Sequence, residues 1–439
     1  MSVSPLGFVR TVSAFAEARW LSHLSSRGEL YAHQQRRLEI LRRAVMPRSA
    51  FYAPHANGPF ESWPVIAKAG WIENFDAINT AGIELREAAR IAEDAETSRD
   101  FRATLRGYAV GFSTGTSGSR GVFIAGAAER SRWAGVMLAK LLPSLEWKPL
   151  RVALLLRANN ALYETVGAGP VRFRFFDLVQ PFHEVLREVE EFAPTILVAP
   201  AHVLGAAARA VRENRLAIRP QRVISVAEVL DVIDREAIER GFCVQVEQIY
   251  QATEGFLGST CGRGTLHLNE EYVLFEREWL DAARTRFVPV ITDLYRTSQP
   301  VIRYRLNDVL LPRSAPCECG SPLLAIDRIE GREDDTLWLT TAHGTSAVPV
   351  FGDVIARVLV RTLPDIENYS VDELDRGRWH MGIAPLLDGA HAKRLRDAIA
   401  TMAVGLGASP PEVEIGAPRA SNGFKRRRIR GARSVCLPS

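Results

Sequence analysis

RVALLL (151–156), VRFRFFDLV (171–179), PTILVAP (194–200), RVISV (222–226) and CVQVEQIY (243–250) are five short runs dominated by Val, Ile, Leu and Phe. Amphipathic stretches of helical length, 181–192, 201–214 and 227–241, separate the last four. Short β-forming runs that alternate with helical segments predict an α/β layer whose strands are substantially parallel.

Outward from this layer the pattern changes on both sides. Toward the N-terminus, Phe8, Val12 and Phe15, then Leu38, Leu41 and Val45, recur at helical spacing, so residues 1 to about 100 read as a largely helical region. Toward the C-terminus, FVPVITDLY and PVIRYRLNDVLL read as strands with no full-length helix between them, which predicts a mostly β subdomain. A break follows near 331. Residues 331–439 combine a helical stretch (391–405) with Gly/Pro-rich turns and a basic segment, GFKRRRIRGARS, and read as a small α+β domain. The expected organisation is therefore an N-terminal domain over 1–330, with α/β and β subdomains across about 101–330, and a C-terminal domain over 331–439.

Composition narrows the function. The 439 residues are 47% hydrophobic and 24% charged, which excludes a disordered or fibrous chain. A net charge of +4 is too balanced for a dedicated nucleic-acid binder. The longest apolar runs fall far short of the roughly 20 residues of a membrane helix. The N-terminal stretch lacks the layout of an export signal, so a cytoplasmic location is expected. Only five of the 55 basic residues are lysine (Lys68, Lys140, Lys148, Lys393 and Lys425), so a lysine in a suggestive place carries weight. Five cysteines, an odd number, argue against a disulfide scaffold and leave metal binding open.

Several segments could carry chemistry. Gly111-Phe-Ser-Thr-Gly-Thr-Ser-Gly-Ser-Arg-Gly121 is dense in glycine and hydroxyl residues, a composition that can wrap phosphate oxygens or form a plain surface hairpin. Tyr250-Gln-Ala-Thr-Glu-Gly255 follows a predicted strand; it could hold a metal-bound phosphate at the strand end, or Thr253 could cap a helix. Cys261, His267, Cys317 and Cys319 form two tight pairs that suit structural tetrahedral zinc, against the alternative of unrelated thiols. Arg303-Tyr-Arg-Leu-Asn-Asp308 and Gly331-Arg-Glu-Asp-Asp335 could be ordinary salt-bridged turns, and the terminal basic segment a solvated face.

In this order the segments resemble the motifs of the adenylate-forming superfamily, in particular the phenylacetate-CoA ligase branch and its coenzyme-adenylylating relatives. STGTSGSRG resembles the phosphate loop, YQATE the aromatic-Gly-x-Thr-Glu motif, RYRLND the RYRTGD motif, GREDD the hinge motif and ASNGFKRRRI the segment carrying a catalytic lysine. The likeness implies a large N-terminal adenylation domain and a small mobile C-terminal domain with the active site between them. It implies that Ser113, Thr114, Gly115, Thr116, Ser117 and Gly118 hold ATP phosphates, that Tyr250 stacks on adenine and that Thr253 contacts phosphate. Glu254 would hold Mg²⁺, Asp308 the ribose with Arg332 beside it, Asp334 would be the hinge, and Lys425 the catalytic cation. The Cys261/His267/Cys317/Cys319 set likewise resembles a zinc site of this branch.

The expected activity is ATP-dependent activation of a carboxylic acid, with an aromatic acid as the substrate class, followed by transfer to a thiol, with coenzyme A as acceptor. Alternatives are transfer to a carrier-protein phosphopantetheine or an amine, AMP transfer to a coenzyme hydroxyl, or nucleotide binding without catalysis. The sequence departs from the family pattern at Ser119-Arg120-Gly121, where the loop lysine is absent. It departs also at Gln251, at Leu306-Asn307 and in the Gly423-Phe424-Lys425 spacing.

Overall fold

The computed structural model describes residues 5–21, 24–113, 120–142, 150–157, 171–341, 344, 346–419 and 426–432. The five runs form strands Val171–Asp177, Leu150–Leu156, Ile196–Ala199, Arg222–Ser225 and Val246–Ala252, adjacent in that order and all parallel. Their near-continuous apolar character follows from burial on both faces. Ala153 and Leu155 face helices Phe182–Phe192, Ala201–Arg212 and Val232–Phe242, whereas Val152 and Leu154 face helix Ala127–Leu141.

The β region does not form a sheet of its own. Strand Val246–Ala252 reverses at Thr253–Glu254 into Gly255–Thr260, and antiparallel pairing runs on through Leu266–Leu268, Ala325–Arg332, Asp308–Pro312 and Phe287–Asp293. One thirteen-stranded sheet results, closed at its far edge by Tyr304–Arg305 and Ile66–Ala67. Carrying the ladder onward leaves no bare edge on the last parallel strand. The N-terminal helical region covers this half: Leu38, Leu41, Met46, Tyr52 and Trp71 pack with Phe287, Ile291 and Tyr304, and the Tyr52 hydroxyl donates to the Ile302 carbonyl at 3.2 Å.

The glycine-rich stretch lies between antiparallel strands Tyr108–Phe112 and Val122–Ala125, which pack on helix Leu85–Ser98. Buried Gln299 ties this hairpin to the large sheet, accepting from the Ile124 N–H at 3.0 Å and donating to the Val122 carbonyl at 3.2 Å.

The C-terminal unit is α+β. Strands Glu412–Gly416, Arg378–Ala384, Asn368–Asp375 and Ile429–Arg430 form a four-stranded sheet, with helices Gly352–Thr362 and Gly389–Gly405 covering a core around Trp379, Leu395 and Ile399. Ile233, from the N-terminal part of the chain, also belongs to that core. The terminal basic segment corrects the expectation of a solvated face: Arg428 is buried in an ion pair with Asp234 at 3.0 Å, because Ile429–Arg430 adds to the sheet edge and turns neighbouring side chains inward. Among the described residues no helix is long and apolar enough to cross a membrane.

The helix layer depends on one close approach. A Cβ on Gly241 would meet the Cβ and backbone of Ala208 at 2.5–2.8 Å, whereas one on Gly205 would meet nothing within 4 Å. Overpacking of this kind costs about 1–3 kcal/mol. Gly241→Ala is expected to lower the unfolding free energy by that amount and with it the urea midpoint, whereas Gly205→Ala is neutral or gains up to about 1 kcal/mol from helix propensity. Equal midpoints for the two variants would disprove the close contact.

Candidate active site

A cavity of about 1200 Å³ opens where the C-terminal ends of the parallel strands, the Tyr108–Ala125 hairpin, the 304–308 and 327–335 segments and residues 426–429 converge. Ligands of α/β sheets bind outside the carboxyl ends of the strands. This volume exceeds that of an ordinary single-ligand pocket of roughly 300–1,000 Å³.

The strand Val246–Ala252 places side chains alternately on its two faces. Tyr250 points to one side, where its hydroxyl donates to Asp308 Oδ2 at 2.6 Å, and Arg332 Nε stands 3.9 Å from Asp308 Oδ1. Three residues from separated motifs thus meet. Burial, then the Asp308 charge, pushes the Tyr250 hydroxyl well above its usual range, so it stays a proton donor. Gln251 points to the opposite side and accepts from Trp133 Nε1 on helix Ala127–Leu141 at 3.2 Å. Tyr272 and Tyr295 also line the cavity, their ring centroids 5.7 Å apart.

Thr253 and Glu254 occupy the turn of a β-hairpin, so the alternative of Thr253 as a helix cap is corrected: the strand continues into an antiparallel partner instead of a helix. Arg296 fixes the turn by donating to the Thr253 carbonyl at 2.8 Å. Glu254 faces Tyr304, whose hydroxyl is pushed up first by burial and then by this carboxylate.

Lys68 is the cavity residue that motif reasoning missed. It opens the short helix Lys68–Glu73 and lines the cavity, with burial pulling its ammonium below the usual range and the Glu254 charge acting against that pull. The scarcity of lysine was the signal that could have singled it out.

Ser113 closes the neck of the glycine-rich loop: its hydroxyl accepts from the Gly121 N–H at 2.8 Å and its N–H donates to the Gly121 carbonyl at 2.7 Å. Thr114, Gly115, Thr116, Ser117 and Gly118 lie outside the described residues, as does Lys425. Arg120 pairs with Glu96 of helix Leu85–Ser98 at 2.8 Å and lies over the Phe112 ring at 4.4 Å. Directly after Lys425, residues Arg426, Arg427 and Arg428 line the cavity. Arg427 Nε donates to Asp335 at 2.6 Å, and Asn307 donates to Asp334 at 3.3 Å, which links the terminal segment to the 331–335 turn.

Away from the cavity, Cys261, His267, Cys317 and Cys319 place one ligand atom each within 4.8 Å of one another. The Cys261 and Cys317 sulfurs are 3.8 Å apart. Two thiolates each about 2.3 Å from a tetrahedral ion are separated by about 3.8 Å. His267 Nδ1 donates to the Leu323 carbonyl at 3.0 Å, which turns Nε2, the nitrogen that would ligate, toward the Cys319 sulfur at 3.4 Å. Hydrogen bonds from the Thr265 hydroxyl and the Cys319 backbone hold the Cys317 thiol down to about 6. The donor set therefore fits a tetrahedral metal ion.

By sequence the chain matches no family model and none of the curated proteins. By structure it is similar to 2-hydroxyisobutyryl-CoA ligase in the postadenylation state in complex with 2-HIB-AMP, with a TM-score of 0.65 and 17% identity over 93% of this chain and 90% of that one. It is similar to the acyl acid amido synthetase GH3.15, with a TM-score of 0.52 and 13% identity over 89% and 84% of the two chains. An anthranilate CoA ligase in complex with anthranoyl-AMP gives a TM-score of 0.50 and 14% identity over 72% of this chain and 65% of that one. With both its large sheet and its C-terminal α+β unit included in the match, the chain has the fold of the adenylate-forming enzymes.

Proposed function

We propose that this chain activates a carboxylic acid with ATP, forming an acyl-adenylate and releasing pyrophosphate, and then transfers the acyl group to a thiol, with coenzyme A as acceptor. The observation that carries this reading is the meeting of Tyr250, Asp308 and Arg332 with Glu254 and Lys68 around one cavity that the segment after Lys425 enters. Tyr250 and Asp308 would hold the nucleoside, Asp308 through the ribose hydroxyls. Ser113 to Gly118 and Thr253 would hold phosphate.

In the first step a carboxylate oxygen bonds to the α-phosphorus as the bond to the β-phosphate oxygen breaks. Negative charge builds on the α-phosphoryl oxygens and on the leaving pyrophosphate. Fixed cations placed where that charge develops lower the barrier most. Lys425 is assigned to the oxygen between carboxylate and phosphate, since a compact ammonium can approach a single atom. Lys68 stands on the Glu254 side, where it can supply positive charge that the loop, with its Arg120 paired to Glu96, does not. Glu254 would hold Mg²⁺, which typically binds through one or two carboxylates plus substrate phosphates.

The Trp133, Tyr272 and Tyr295 rings on the Gln251 side support an aromatic acid as the substrate class. The chain is read as dividing near residue 331, with Asp334 as the hinge about which the C-terminal unit turns between adenylation and transfer. The Cys261, His267, Cys317 and Cys319 set is assigned to structural zinc, stapling strand Leu266–Leu268 to the loop before Ala325–Arg332.

Acid-dependent ATP–pyrophosphate exchange across a panel of aryl and alkyl acids tests the activity. Exchange is expected with aryl acids, and Glu254→Ala and Lys425→Ala are each expected to reduce it by about 10²- to 10³-fold. Measurable ATP binding without exchange for any acid would turn the assignment to AMP transfer onto another acceptor or to a non-catalytic binder. Metal analysis of protein purified without chelator is expected to find about one zinc per chain, and Cys317→Ser is expected to lower both zinc content and melting temperature. Protein folded without zinc would remove the metal assignment.

A further inference from the structure

The loop before helix Val232–Phe242 and the first turn of that helix carry three acids at three-residue spacing, Glu228, Asp231 and Asp234. Each receives a group from the C-terminal unit. Glu228 Oε1 accepts the Arg426 backbone N–H at 2.7 Å, and its other oxygen stands 2.8 Å from His202 Nδ1. Asp231 Oδ2 accepts the Tyr369 hydroxyl at 2.7 Å while Oδ1 caps the helix at the Ile233 N–H. Asp234 pairs with Arg428 at 3.0 Å and with Arg426 through its second oxygen.

The cluster is buried, and its acids come from the N-terminal part of the chain while Tyr369, Arg426 and Arg428 come from the C-terminal unit. Side-chain exposure is 8% for Asp234 and 9% for Arg428. Arg428 is fixed to its own unit by donating to Asn368 Oδ1 at 2.9 Å and by lying over the Tyr369 ring at 4.5 Å. Between the acids, Ile233 enters the core of the C-terminal unit. Charged side chains are almost never buried this far unless they are paired, and removing one partner strands the other in a dry site. The three acids therefore form a socket matched to one orientation of the incoming segment.

We propose that Glu228, Asp231 and Asp234 are positioning residues: they latch the segment that directly follows Lys425 and hold the C-terminal unit closed over the cavity for adenylate formation. The latch itself stands on the interface; its catalytic consequence rests on the role proposed above for Lys425. Arg426 follows Lys425 in the chain, so capture of its N–H by Glu228 and of its guanidinium by Asp234 fixes the backbone one residue after the lysine. Acyl transfer from a finished adenylate does not build the charge to which Lys425 is assigned, so on the proposed function it does not depend on holding the lysine there.

Pulsed electron–electron distance measurement tests the latch in the full-length chain, with spin labels on noncanonical residues at Arg212 and Lys393, both exposed, one on each unit. The wild type is expected to give one narrow distance. Asp234→Asn and Arg428→Gln should broaden and lengthen it, and Tyr369→Phe, which removes a single hydroxyl, should do so to a smaller extent while leaving the melting temperature close to that of the wild type. A broad wild-type distribution, or wild-type distances in all three variants, would overturn the latch.

Half-reaction rates test the positioning role. Misplacement of a catalytic group by about 1 Å can cost about 10²-fold, so Asp234→Asn is expected to lose about that much pyrophosphate exchange while transferring acyl groups from supplied acyl-adenylate to coenzyme A at the wild-type rate. Equal losses in both half-reactions would overturn the positioning role. A wild type that exchanges pyrophosphate with no acid would defeat the proposed activity, and the distances alone would then decide whether the latch exists.

Discussion

The strand Val246–Ala252 is paired parallel on one edge and antiparallel on the other, and much of the molecule follows from that change. On its parallel side the helices must return across the sheet, which builds the layered half and leaves a crevice at the strand ends. On its antiparallel side a tight reversal is allowed, and the two residues of that reversal, Thr253 and Glu254, project at the crevice. The same alternation that sends Tyr250 to Asp308 sends Gln251 to Trp133, so one strand separates a polar side of the cavity from an aromatic one. Because the antiparallel ladder continues to Asp308 and Arg332, paired in register with each other, the residues across the cavity are held by the same backbone hydrogen bonds.

The layered half was legible because its signal is local. Runs such as 152–155 are apolar without alternation, which is what burial on both faces requires, and the amphipathic segments between them carry their own period. The continuity of the sheet was not legible, since pairing of Leu266–Leu268 with Ala325–Arg332 spans about sixty residues and leaves no trace in either segment alone. Thr253 illustrates the same limit at one residue. A hydroxyl before an acidic residue reads equally as a helix cap or a turn, and only the presence of an antiparallel partner decides it.

The chemistry divides along similar lines. The Cys and His pairs were readable from spacing because each pair lies at or beside a short turn, but the feature that makes His267 a usable ligand, its Nδ1–H bond to the Leu323 carbonyl, is a tertiary contact. The arginines after Lys425 were misleading for a physical reason: a run of four basic residues has the composition of a solvated tail, and the acid that buries Arg428 lies 194 residues earlier. Arginine scarcely exchanges with lysine in such places, because a planar, weakly hydrated fork tolerates burial better than an ammonium. A chain that builds Arg428–Asp234, Arg286–Glu330 and Arg303–Glu276 from arginine leaves few lysines for structure, although Lys140 does pair with Glu271. Lys68, at the cavity wall beside Glu254, stands out against that background.

The charged character of the contact between the C-terminal unit and helix Val232–Phe242 suits the proposed closing and opening of that unit. An apolar interface of the same size would gain free energy roughly in proportion to the area covered and would expose that area to water when it opened. A buried ion-pair network behaves differently: the desolvation of its members nearly cancels their attraction, so its net contribution to closure is small while its demand on geometry is strict. Were the units to separate as proposed, Asp231, Asp234, Arg426 and Arg428 would regain water instead of leaving a bare apolar face, and among the described residues Ile233 is the one large side chain of the helix that would leave the C-terminal core. Such an interface selects one orientation over its neighbours without making that orientation permanent. For the proposed role of this segment, which would close over the cavity for adenylate formation and leave for transfer, that combination of strict geometry with a shallow well is the physical requirement.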